Sequence, residues 1–331
     1  MKMNSLGWKS SIKEIYGLGY ILDRKGSILS FYSENKRANL YANSRIVVSG
    51  HGRISLDAIK FSAKAHGMIA IRKYSTVIRF DYPSSPRALI VKAQLRLLND
   101  LDSALYVAKK FVEASSLNKC YILNSLIAYD LDLEAERDKI LELLKSDISS
   151  LQDLRSVEAL ITKEYFNALR KVISSIYGFE ARTRRPPRDC FNAALSYALM
   201  VLYRYVKTAL ECVGLDSRIG YLHEPFRKRP SLALDLAEEF KQPIVDAVLL
   251  TLFMTEAMSV KRDFRRDGEA VYLGVRGRKK VDKALRRRFS FKIGGVSFLE
   301  RIYQQAEKLA EYIIGKRSDY EPFIYDRYLR S

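Results

Sequence analysis

At about residue 84 the apolar pattern of this chain changes period, and no single kind of secondary-structure layer can satisfy both parts. From about Ile12 to Tyr82, short runs rich in β-branched and aromatic residues ("GYILD", "SILSFY", "RIVVSG", "MIAIRKY", "TVIRFDY") are separated by Gly, Asn and Ser, the pattern of a small sheet. One helical insertion, "SLDAIKFSAKA", ends at Gly67, where a left-handed C-terminal cap is expected. The Pro- and Ser-rich run "DYPSSPR" marks the boundary. From Ala88 to Ile313 apolar residues recur with the helical spacing of 3.6. The sequence therefore predicts an α+β fold: a small N-terminal β-sheet domain, residues 1–84, then a larger, mainly α-helical domain, residues 85–331.

Charge narrows the partners. Lys plus Arg outnumber Asp plus Glu by 57 to 38, and the net charge of +19 favours a polyanion, nucleic acid before an acidic membrane surface. Between Lys261 and Lys292 thirteen basic residues face four acidic ones, either a solvated face or a phosphate-contacting one. The longest apolar run, "IVDAVLLTLFMTEAMSV", is interrupted by Asp246 and Glu256 and is shorter than the roughly 20 residues of a spanning helix, so it is expected to be a buried helix and not a membrane anchor. The N-terminal stretch has no apolar segment of signal-peptide length, which predicts a cytoplasmic protein. Cys120, Cys190 and Cys212 have no C-x-x-C spacing and are expected to be reduced and packed.

Three features could carry chemistry. On a helix opened by Ser231 as N-cap, Asp235, Glu238 and Glu239 fall within one arc of about 100°, opposite Leu232, Ala233, Leu236, Ala237 and Phe240. By itself that is the exposed acidic face of an amphipathic helix. In "LQDLRSVEALITKEYFNALRKVI" the apolar stripe runs through Leu154, Val157, Ile161, Tyr165, Val172 and Ile176; Glu158 projects within it and Glu164 points away. A carboxylate on a packed face must neutralise, pair with a cation or bind a metal. His51 and His66 are expected to be structural. His223 lies in a loop-like segment, twelve to sixteen residues before the acidic helix on which that loop can fold back.

One imidazole with two carboxylates suits Mg²⁺ or Mn²⁺ and phosphate chemistry. Two basic clusters, Arg182, Arg184, Arg185 and Arg188, then Arg227, Lys228 and Arg229, could hold a backbone without reading base sequence. Asn192, polar within an apolar helix, either braces nearby backbone or is a locally satisfied core amide.

The string "GLDSRIGYLHEPFRKRPSLALDLAEEF" resembles the signature of the CRISPR-associated integrases, the "Cas one" family. "SVEALITKEYF", "RTRRPPRDCFNAALSYALMVLY" and "RIVVSGHGRISLDAI" are similar to three further segments of that family, in order. The resemblance implies a divalent metal, Mg²⁺ or Mn²⁺, on Glu158, His223 and Glu238, with Asp235 orienting a water or assisting a second ion. It implies a homodimer formed largely through the β domain, and a second small adaptation protein of the "Cas two" family as partner. The activity it implies is that of a DNA endonuclease and integrase that joins the 3′-hydroxyl ends of short duplexes to the CRISPR repeat by transesterification. Ala159 stands where the family usually has Gly, and Ser217 where it often has Pro. Two other functions fit the same residues: a structure-selective nuclease for branched DNA, and a non-catalytic basic DNA-binding scaffold.

Overall fold

In the computed structural model, which describes residues 12–65, 67–73, 76–80 and 87–326, the chain divides into two compact units. One contains residues up to Lys92 together with Lys207–Leu215, and the other contains Ala93–Val206 and Asp216 onward. The division falls inside two helices; the Pro- and Ser-rich stretch near residue 84 and His66 lie outside the described residues.

The first unit is built on a six-stranded sheet of order β3-β2-β1-β4-β5-β6. Its strands are β1 (Ile12–Lys25), β2 (Ile28–Ser33), β3 (Lys36–Tyr41), β4 (Arg45–Ile54), β5 (Met68–Lys73) and β6 (Thr76–Phe80). β1 runs parallel to β4, as β4 does to β5, and the remaining pairs are antiparallel. Alternation puts Leu22, Leu29, Phe31, Leu40, Ile46, Val48 and Ile69 on one buried face, against which α1 (Leu56–Lys64) sets Ala58, Ile59 and Phe61.

Ser55 starts α1 by accepting a hydrogen bond from the Ala58 amide at 3.1 Å. The helix ends differently from the expectation. Gly67 does not have a positive φ; it is required because a Cβ there would lie 2.1 Å from the Ala42 carbonyl oxygen. His51 is exposed on β4.

The second unit is mainly helical, as the 3.6 period requires. After α2 (Arg87–Asn99) come α3 (Leu101–Ile127), α4 (Glu134–Leu144), α5 (Leu151–Val172) and α6 (Cys190–Cys212). Next are a short α7 (Ser231–Ala237), a wide π-type turn (Lys241–Asp246), α8 (Ala247–Met254) and α9 (Val260–Asp263). The hairpin β7 (Phe264–Asp267) and β8 (Ala270–Leu273), α10 (Val275–Ser290), the two-residue strands β9 (Lys292–Ile293) and β10 (Val296–Ser297), and α11 (Phe298–Ile313) complete it.

Local chemistry sets the helix ends: Ser150 caps α5, and Ser297 with Glu300 forms a reciprocal capping box on α11. The apolar run from Ile244 is the buried helix expected of it, split between the wide turn and α8. Among the described residues no helix is long and apolar enough to cross a membrane. All three cysteines are free and buried. Ile176 departs from the expected stripe and is exposed, because α5 stops at Val172 and a short 3₁₀ turn follows.

Candidate metal centre

The candidate ligands come from α5, the loop between α6 and α7, and α7 with its C-terminal cap, all within the helical unit. Glu158 sits in the second turn of α5, half-buried, between the buried Leu154 and Ile161, and accepts a hydrogen bond from Thr162 Oγ1 at 2.8 Å. One turn earlier on the same helix, Arg155 reaches the loop that carries His223. Its Nε donates to the Leu222 carbonyl at 2.9 Å, and its Nη1 pairs with Glu224 at 2.8 Å.

That loop is tightly folded. At Gly220 a Cβ would meet the His223 carbonyl oxygen at 2.6 Å, so only glycine permits the approach. Asp235, fully buried on α7, closes the loop from beneath. Its Oδ2 accepts from the amides of Tyr221 and Leu222, and its Oδ1 accepts from the His223 amide at 3.0 Å. The same Oδ1 lies 2.6 Å from His223 Nδ1. With Nδ1 taken, Nε2 is the ring nitrogen able to face an ion.

The acidic helix is not a solvated face. Asp235, Glu238 and Glu239 are all buried, which corrects the amphipathic expectation. The reason is that α7 gives way, after a tight turn at 238–240, to a wide π-type turn, so the regular wheel fails beyond residue 237 and neighbouring elements enclose both sides. Ser231 is also not the cap it resembles. Its hydroxyl donates to the Glu224 carbonyl, and the Ser217 carbonyl accepts from the amides of Leu232 and Ala233 in the first turn. Because Ser217 acts through its backbone carbonyl, serine in place of proline leaves that contact intact. Ala159 lies on an exposed helical turn where alanine is favourable.

Glu238 and Glu239, adjacent in sequence, have opposite surroundings. Glu239 accepts hydrogen bonds from Tyr320, Gln305 Nε2 at 2.8 Å and the Phe323 amide at 2.8 Å. Burial nevertheless pushes its carboxyl up to about 7.

Burial also acts to raise Glu238, but Lys241, Lys119 and His223 more than offset it and hold that carboxyl down at about 2. Oε1 is paired with the Lys241 ammonium, and Oε2 accepts from Ser115 Oγ at 3.0 Å. Lys119, one turn on from Ser115 along α3, donates to the Ser115 hydroxyl at 2.6 Å. Burial lowers Lys119, and the carboxylates of Glu238, Glu158 and Asp246 only partly restore it. Burial pushes Asp246 up to about 6, against the hydrogen bond from Tyr165.

The fields of Glu158 and Glu238 both act on Lys119 and on Lys241, and His223 acts on Glu238, so the three sequence-distant residues share one electrostatic neighbourhood. Each is engaged with a protein partner, and among the described residues no three His, Cys, Asp or Glu side chains converge closely enough to hold an ion. The donor chemistry, two carboxylates and one imidazole fixed through its far nitrogen, fits a hard divalent cation. Sequence reading did not find Ser115, Lys119, Arg155 or Lys241. Lys241, three residues after Glu238, was visible as a local ion pair, whereas Ser115 and Lys119 gave no signal because their partner is more than a hundred residues away.

The basic clusters divide. Arg184, Arg185, Arg227, Lys228 and Arg229 are exposed. Arg182 is half-buried, donating to Asn192 Oδ1 at 2.8 Å and Ser196 Oγ at 3.1 Å, and burial pushes it down to about 10. Asn192 is wholly buried and donates in turn to the Ala181 carbonyl at 2.7 Å, so it braces the backbone at 181–183. The block after Lys261 resolves into α10, which buries Gly277, Val281, Leu285 and Phe289 and exposes Arg276, Arg278, Lys279, Lys283, Arg286 and Arg287.

Residues 15–287 match the family model described as "CRISPR associated protein Cas1". A CRISPR-associated endonuclease Cas1 of Methanothermobacter thermautotrophicus is 28% identical over 315 residues, 92% of this chain and 92% of that protein. Among solved structures, a casposase bound to integration product has a TM-score of 0.79 at 24% identity, covering 96% of this chain and 99% of that one. A partial Cas6-RT-Cas1–Cas2 complex has a TM-score of 0.83 at 19% identity, covering 96% and 99%.

Proposed function

The chain belongs to the family of CRISPR-associated Cas1 proteins, and from that membership we propose that it is a divalent-metal-dependent DNA endonuclease and integrase of CRISPR adaptation. It joins the 3′-hydroxyl ends of short duplexes to the CRISPR repeat by transesterification. The observation that carries the reading is that the His223 loop is held from both sides, by Arg155 one turn before Glu158 on α5 and by Asp235 three residues before the buried Glu238. The endonuclease name of the Methanothermobacter relative supports the enzyme class, and the casposase with its integration product supports joining.

Glu158, His223 and Glu238 would hold Mg²⁺ or Mn²⁺. When bound, the ion supplies Lewis-acid stabilisation of charge on the scissile phosphate and lowers the pKa of the attacking hydroxyl. The chain's own residues do the rest. Asp235 holds the imbedded edge of His223 so that the imidazole cannot rotate. Lys241 pairs with Glu238 Oε1 and favours its ionised form. The exposed Arg227, Lys228 and Arg229, on the loop between His223 and α7, would grip backbone phosphates, as would Arg184 and Arg185.

The partners follow from the same membership. They are double-stranded DNA, a second copy of the chain docked through the β-sheet unit, and a Cas2-type protein, for which the Cas1–Cas2 assembly among the structural neighbours is the support. The residue 1–84 and 85–331 division would separate dimerisation from catalysis, in a protein working in the cytoplasm.

The test incubates the purified protein and its Cas2-type partner with prespacer duplexes and a repeat-bearing plasmid. Covalent joining that is lost in Glu158→Ala, with DNA binding retained, is the expected result. Cleavage without joining would point to a branched-DNA nuclease, and binding without any metal-dependent chemistry to a scaffold.

A further inference from the structure

α3 is a 27-residue helix that buries a lysine almost completely; Lys119 is 3% exposed. A buried ammonium is costly unless its surroundings hold it, and here its hydrogen bond goes to a hydroxyl and not directly to a carboxylate. The direction of that bond is fixed by chemistry. An ammonium can only donate, so Ser115 Oγ must accept from Lys119 Nζ and has one proton left to give. That proton goes to Glu238 Oε2, 3.0 Å away. The charge on Lys119 polarises the hydroxyl and strengthens its donation, while the carboxylates of Glu238, Glu158 and Asp246 supply the negative field that tolerates the ammonium.

Two oxygens of one carboxylate are thereby given different work. Oε2 is anchored on the α3 side, where Ser115 and Lys119 are buried. Oε1 is paired with Lys241, whose side chain is 20% exposed. A direct Lys119 pair would neutralise Glu238 without choosing between its oxygens, and the interposed hydroxyl makes the choice. We propose that Ser115 and Lys119 form a positioning relay that fixes the rotation of Glu238 and presents its Oε1 to the divalent ion. Both residues are buried, so their part is positioning and not contact with DNA. Lys241, paired with Oε1, is the ammonium that would have to yield or share that oxygen with a bound ion.

This inference rests on the metal reading given above, and the experiment separates the two. Mn²⁺ is titrated into the DNA-free protein, and unbound ion is read by electron paramagnetic resonance; DNA affinity, thermal midpoint and the Mn²⁺ dependence of cleavage are measured in parallel. Ser115→Ala and Lys119→Met are expected to weaken Mn²⁺ binding by about 10- to 100-fold, and to raise the Mn²⁺ concentration for half-maximal cleavage by the same factor. Cleavage at saturating Mn²⁺ and DNA affinity stay near wild type. Ser115→Thr keeps the hydroxyl and should keep the affinity, and the Ser115→Ala/Lys119→Met double variant should be no weaker than the worse single one, because the relay is one unit.

Mn²⁺ binding unchanged in both single variants overturns the relay, as does a lowered thermal midpoint with unchanged Mn²⁺ affinity. Should Lys119→Met fail to fold, the contrast between Ser115→Ala and Ser115→Thr decides alone: equal affinity in the two overturns the relay. If Glu238→Ala binds Mn²⁺ as tightly as wild type, the metal reading fails first and the relay with it.

Discussion

Asp235 holds His223 at two points with one oxygen: Oδ1 accepts from the histidine's amide at 3.0 Å and lies 2.6 Å from its Nδ1. Backbone and ring are thus fixed together, and the carboxylate's other oxygen fixes the two preceding amides. An amide at this position would turn an NH₂ group towards at least one N–H donor. Asp235→Asn should therefore destabilise the protein by roughly 2–4 kcal/mol and weaken Mn²⁺ binding by about 10-fold or more. Thermal melts and metal titration check the two effects separately.

Glu158 is half-buried and hydrogen-bonded within its own helix, so removing it leaves no stranded donor in the core. Glu158→Ala should fold and bind DNA like wild type while losing at least about 100-fold of the metal-dependent cleavage rate. A gel-shift titration beside a cleavage time course reads both.

The arginines should separate by burial. Each of Arg184→Ala, Arg185→Ala, Arg227→Ala and Arg229→Ala should lower DNA affinity and reduce the slope of log affinity against log salt by about one where it removes a phosphate contact. Their melting temperatures should not move. Arg182→Ala should melt earlier, because it breaks the bonds to Asn192 and Ser196. Fluorescence anisotropy at several salt concentrations, paired with thermal melts, distinguishes the groups.

Glu239 predicts the pH dependence of the metal-free protein. Its folded carboxyl is held up at about 7, above the ordinary value of 4.5. Below 4.5 both states carry the proton and the contribution is complete; as pH rises through that value towards 7 the unfolded chain releases the proton first, so stability falls by roughly 3 kcal/mol in total. Asp246, raised to about 6, adds a slope of the same sign. Denaturant melts between about pH 5 and about pH 8 should show the decline, and Glu239→Gln should flatten it without abolishing it.

What the sequence revealed depended on the range of the interaction. Glu158 stood out because it interrupts an apolar stripe, and α1 because Ser55 precedes a clear helical period. β3 was missed because "KRANLY" is an edge strand built from charged and polar residues, which discourages edge-to-edge pairing and hides the strand from a search for apolar alternation. The acidic helix was misread as exposed because Glu238 and Glu239 are enclosed by Ser115, Tyr320 and Phe323, whose chain positions lie far from theirs. A helical wheel has no information about such neighbours, and it also assumes a regular turn that the wide helix after Phe240 does not supply.

Asn118 and Glu239 take their buried partners from residues 320–325: Asn118 bonds the Phe323 carbonyl and the Tyr325 amide, and Glu239 bonds Tyr320 and the Phe323 amide. Protein synthesis delivers those residues long after α3 and α7 have left the ribosome. Until they emerge, Asn118 and Glu239 lack the partners that this segment supplies. The segment at 320–325 thus works as a closing clasp on two buried polar groups, and a chain cut before Tyr320 would leave both without those partners.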